Sequence, residues 1–130
     1  GINMGTRFCA TKEAPTHDNI KQLYVDNDER GTNLIFRKFK NTARVGKNSV
    51  SDKVVEISAQ PDATFEDIKP YVAGAVGREM LKSGDVDQGI FWAGMVQGLI
   101  HDIPSCKDLI EKIVGDAEEI VKGRFGAMLG

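Results

Sequence analysis

The segment Asn3-Met4-Gly5-Thr6 holds the first residues whose types and order could do chemistry. The short apolar stub around Ile2 and Met4, followed by Gly-Thr, reads as the end of a β-strand opening into a turn. Such a turn can offer consecutive backbone N–H groups and a hydroxyl to a phosphate, as the last strands of parallel α/β barrels commonly do at their C-terminal face. The same residues also fit an ordinary glycine at a strand-to-loop junction. A second candidate is Phe91-Trp92-Ala93-Gly94-Met95 with Gln97. It could form an aromatic wall over a flat ring, or it could be plain core packing. The run from Arg37 to Asn48, with Arg37, Lys38, Lys40, Arg44 and Lys47, could meet an anionic ligand tail or form a solvated basic loop.

Other chemistry finds less support. The only histidines are His17 and His101 and the only thiols Cys9 and Cys106, with spacings that match no zinc pattern. His17 is expected to support a helix start, and His101 beside Asp102 to sit at a helix C-terminus. Nothing in the sequence supplies a third group to orient a Cys9–His17 pair, so a thiol nucleophile is rejected.

The 130 residues carry 17 Lys plus Arg against 19 Asp plus Glu, a net charge of −2 that argues against nucleic-acid binding. The longest mostly apolar stretch, Ile90 to Ile100, falls well short of the ~20 residues of a membrane span. With no charged-then-apolar leader and no cysteine framework, the expectation is a reducing, cytoplasmic setting. The 14 glycines exceed the usual share of about 7% and fall inside periodic segments, as they do where backbone approaches backbone or ligand.

Several elements must position these residues. Pro15 to Asp18 predicts a helix start, with Ile20, Leu23 and Tyr24 on one face of a helix over 17–26. Thr32 to Phe39 predicts a strand, the one convincing strand besides the stub at residues 1–8. A helix is expected from Asn48 to about Gln60, another from Thr64 that Pro70 ends or kinks, and a short one over 75–82. A glycine-bearing apolar helix is expected over 88–100. Ser105 and Asp108 form a capping-box signature before a long helix with one broad apolar face, which must dock on something large.

In this order, Gly1-Ile2-Asn3-Met4-Gly5-Thr6-Arg7-Phe8, then Asn41-Thr42-Ala43-Arg44-Val45 with Asn48, then Trp92-Ala93-Gly94-Met95-Val96-Gln97-Gly98, closely resemble the C-terminal part of nitronate monooxygenases, also called 2-nitropropane dioxygenases. The resemblance implies an FMN-dependent oxidoreductase on a TIM barrel with a small inserted α/β domain over the flavin. The fold class expected is α/β: a C-terminal piece of a TIM barrel, with the end of the last strand and outer helices, plus most of the inserted domain. Residues 1–30 would hold the strand end, the phosphate-binding turn and the following helix. Residues 31–84 would form the inserted domain, and residues 85–130 would return to the barrel with a pocket-lining helix and the outer C-terminal helix. Asn3, Met4, Gly5 and Thr6 would bind the FMN phosphate, and Trp92, Gly94 and Met95 would line the substrate pocket.

The resemblance also implies that the catalytic histidine and the earlier strands lie upstream, in an N-terminal barrel portion of a parent chain, so the 130 residues alone would be inactive. The expected reaction is oxidation of an alkyl nitronate with O2 to a carbonyl compound and nitrite. The alternatives are NAD(P)H:quinone reduction by the same flavoprotein family and, from another class, a stand-alone anion-binding or interaction module.

Overall fold

The computed structural model describes residues 1–129. Its elements run α1 (Thr6–Cys9), α2 (Asp18–Asp26), β1 (Thr32–Ile35), β2 (Ala43–Gly46), α3 (Ser49–Ser58), α4 (Phe65–Val72), α5 (Gly74–Ser83), α6 (Cys106–Ile120) and α7 (Gly126–Leu129). Single 3-10 turns lie at Arg37–Phe39 and Met95–Leu99, and a π-helical turn at Val121–Phe125 joins α6 to α7.

Helix starts are set by side chains that engage N–H groups of the first turn, which have no partner inside the helix. His17 Nδ1 accepts the Asn19 N–H at the start of α2. Asn48 accepts the Ser51 N–H at 2.8 Å, and Ser51 Oγ accepts the Asn48 N–H at 2.9 Å, closing a capping box on α3. Asp67 accepts both the N–H and the hydroxyl of Thr64 ahead of α4. Ser105 accepts the Asp108 N–H on α6, where Glu13 also receives the Cys106 N–H. These are the positions at which the sequence predicts helices. Pro70 lies inside α4, which ends two residues later at Val72, and Gly84 closes α5 at φ 75°, a conformation open to glycine at little cost.

Four expectations are corrected. Among the described residues, residues 1–4 pair with no strand; they share a groove with Ile110, Ile113 and Val114 of α6, and Thr6 already begins a short helix. The strand predicted over 32–39 stops at Ile35, since Phe36 and Lys40 take left-handed backbone and fold the chain into a turn. Its partner β2 falls in the run read as a basic loop: Thr32 lies opposite Gly46 and Ile35 opposite Ala43 in an antiparallel hairpin.

The helix expected over 88–100 does not form. Gly46 donates its N–H to the Phe91 carbonyl at 2.8 Å, and Val45 bridges to Trp92, so this stretch runs extended beside β2. A Cβ on Gly46 would lie inside the Phe91 ring, so glycine is what permits that approach. Gly89, Gly94 and Gly98 lower the helix propensity, and backbone pairing with β2 prevails.

Extended backbone sends successive side chains to opposite sides. Phe91 enters a core with Ala10, Ile20, Tyr24, Met80, Ala93 and Ile100, while Ile90 enters a second core with Ile35, Val45, Val54 and Ile68. Tyr24 and Phe91 meet edge to face at 5.4 Å in the first.

Candidate functional site

Thr6 and Gly94, 88 residues apart, are joined directly: the Gly94 N–H donates to Thr6 Oγ1 at 2.9 Å. The residues expected to hold a phosphate and those expected to wall a pocket therefore share a contact. Tyr24 reinforces it by donating its hydroxyl to the Trp92 carbonyl at 2.8 Å. Burial, with the Cys9 thiol beside it, pushes the Tyr24 phenol up, so the hydroxyl keeps the proton this bond needs.

Asn3, Met4, Gly5 and Thr6 line one open groove of about 600 Å³. Its opposite walls come from Val96, Leu99 and Ile100 and from Leu109 and Ile113 of α6. Trp92 and Met95 lie outside that lining, with Trp92 60% exposed and Met95 55% exposed. The groove thus unites four of the expected residues, and Gly94 touches one of them through hydrogen bonding.

The N–H groups at the turn can engage a phosphate, and the groove around them carries the Asp102, Asp108 and Asp116 carboxylates against Arg7 and Lys112. Gly5 stands as N-cap of α1 with no side-chain cap, so the first N–H groups of the helix are not taken up by a side chain. Thr6 Oγ1 accepts from Gly94, which leaves its own proton to be donated. A Cβ on Gly5 would meet nothing within 4 Å, so the approach to these donors is open.

Neither histidine joins this set. His17 is engaged at the start of α2, its ring against Gly84, where any Cβ would overlap it. His101 lies between the Met95–Leu99 turn and α6 and is exposed. It therefore terminates no α-helix, contrary to the expectation from sequence.

Residues named from the sequence, but without the long-range contacts they make, sit around this site. Gln97 is fully buried and donates to the Asp28 and Gly31 carbonyls, fastening the 3-10 turn to the loop before β1. Asn48 donates to the Val86 and Gly89 carbonyls, both at 2.7 Å, and so sets the approach of the stretch that leads to Trp92. The segment Ala43-Arg44-Val45 is the second strand of the hairpin, and Arg44 donates to the Thr32 hydroxyl across it.

The sequence model of the nitronate monooxygenase family matches residues 1–116. The chain belongs to that family. The family is one of flavin-dependent oxidoreductases. A nitronate monooxygenase of Neurospora crassa is 26% identical over 129 residues, spanning 94% of this chain and 33% of its own length. A hydroxy-methyl-oxo-octahydroindene-carboxyl-CoA dehydrogenase of Mycobacterium tuberculosis is 28% identical, over 90% of this chain and 43% of its own. Among solved structures, FabK from Thermotoga maritima superposes with a TM-score of 0.84 at 29% identity, over 95% of this chain and 39% of that one. The chain therefore spans about a third to two fifths of these relatives. The fold is α/β, a piece of a TIM barrel, in agreement with the expectation from sequence.

Proposed function

We propose that this chain supplies the phosphate end of the cofactor site of an FMN-dependent nitronate monooxygenase, whose substrates are an alkyl nitronate and O2. The observation that carries the reading is the Thr6–Gly94 contact, which sets the glycine turn beside the segment bearing Trp92 and Met95. Asn3, Met4, Gly5 and Thr6 would hold the FMN phosphate, through backbone N–H groups and the Thr6 hydroxyl. Trp92, Gly94 and Met95 would border the substrate pocket, where exposed apolar side chains favour a flat ring or an alkyl tail. When bound, the flavin supplies the oxidation of the nitronate and the reaction with oxygen that yield a carbonyl compound and nitrite. The remainder of the site, including the catalytic histidine, is assigned to an N-terminal barrel portion of the same polypeptide. We place the enzyme in the cytoplasm, a setting in keeping with the free thiols Cys9 and Cys106.

A second reading, NAD(P)H:quinone reduction, draws on the dehydrogenase relative, whose name denotes a different oxidation on a similar chain. Steady-state assays of the full-length polypeptide separate the two. Turnover of propyl nitronate with oxygen uptake is the expected result, whereas oxidation of NADH with a quinone and no turnover of nitronate would sink the first reading.

A further inference from the structure

Two consecutive residues at the glycine turn reach one distant segment. Thr6 holds its near end at Gly94, and Arg7 holds its far end at Asp102, with Nη1 donating to the Asp102 carbonyl at 3.0 Å and Nη2 to the Asp102 carboxylate. The Arg7 side chain is 14% exposed and that of Asp102 66%. An exposed ion pair contributes little stability. This one engages a planar fork with a backbone acceptor as well as a carboxylate, which fixes direction more than it adds energy.

The element that needs direction is α1. It has four residues, and the Gly5 carbonyl accepts from Phe8 and Cys9 at its start. A helix this short does not hold an orientation alone. Contacts from outside must set where its first N–H groups aim.

We propose that Arg7 is a positioning residue that acts through Asp102 to aim the N–H groups of the turn at the cofactor phosphate. The inference rests on the phosphate reading of Asn3 to Thr6 given above. Arg7 spends an N–H of each Nη group on Asp102, which ties the turn to that residue, and the role assigned to it here is to position the turn.

The test compares FMN with riboflavin, which lacks the phosphate, in titrations of the flavin-free full-length polypeptide. Arg7→Ala is expected to weaken FMN binding by about tenfold and riboflavin binding by less than about twofold. Arg7→Lys, which can still reach an Asp102 oxygen, should recover most of the FMN affinity. Asp102→Ala should mirror Arg7→Ala, and the double variant should lose little more than either single one. Equal losses for the two flavins, or unchanged FMN affinity, would overturn the inference. Should Arg7→Ala fail to fold, Asp102→Asn answers the same question, because it must lower the FMN-to-riboflavin ratio below that of the parent. If the unaltered protein does not prefer FMN, the phosphate reading itself fails. A preference for FMN that survives every substitution overturns the role of Arg7 alone.

Discussion

Single atoms decide several of these contacts, and glycine shows it most directly. Gly46 and Gly115 have opposite surroundings: a Cβ on Gly46 would lie inside the Phe91 ring, whereas one on Gly115, within α6, would meet nothing within 4 Å. Gly46→Ala is therefore expected to destabilise the fold by about 1–3 kcal/mol through overpacking. Gly115→Ala should stabilise α6 by about 1 kcal/mol through helix propensity. Denaturant unfolding checks both, and a neutral Gly46→Ala would mean that the hairpin does not pack on Phe91 as described. The Gly5-Thr6 turn was legible in the sequence because glycine followed by a hydroxyl residue is a local signal. Its partners were not: Gly94 and Asp102 come close to Thr6 and Arg7 only once the chain folds, and nothing near them in sequence marks them as acceptor or donor.

Helix starts were legible for the same local reason. His17, Asn48, Thr64 and Ser105 each precede a periodic apolar run, and each lies at the start of a helix in the structure. Strands were less legible. β2 carries Arg44 and is followed by Lys47, which suggest solvent, and its pairing with β1 and Phe91 is invisible to a local reading. The stretch 88–100 shows the converse failure. Ile90, Phe91, Ala93, Gln97 and Ile100 are all buried at spacings compatible with a helix face, yet Ile90 and Phe91 belong to different cores. A pH prediction belongs to this scale. The Cys106 N–H at the start of α6 holds the Glu13 carboxyl below its ordinary value of 4.5. Its contribution to stability is present above that value and lost as the pH falls through the lowered one. Glu13→Gln should therefore reduce the loss of thermal stability on acidification below about pH 4.5 while leaving the neutral-to-alkaline profile unchanged in shape. An acid limb identical to that of the parent would remove Glu13 from the capping of α6.

At the scale of the whole molecule, two cores meet along one extended strip, and α6 turns much of its apolar face outward. Ile110, Val114, Ile120 and Val121 on α6 and the turn after it are each about half exposed or more, and Leu109 is the one α6 residue in the buried core among the described residues. Patches of that kind mark surfaces that another structure covers. Expressed alone, the 130 residues are expected to self-associate and bind a hydrophobic dye, while the full-length polypeptide does neither. A monodisperse monomer with one cooperative melting transition would favour the stand-alone module instead. Trp92 gives the molecule a property of another kind. It is the only indole in the chain, it is well exposed, its carbonyl is held by Tyr24, and it lies two residues from the Gly94 that Thr6 holds. Ultraviolet emission from the chain at wavelengths that exclude tyrosine thus arises at a single known place beside the glycine turn. If the proposed flavin site is filled, its isoalloxazine would drain that emission by energy transfer, an intrinsic optical gauge of the proposed occupancy.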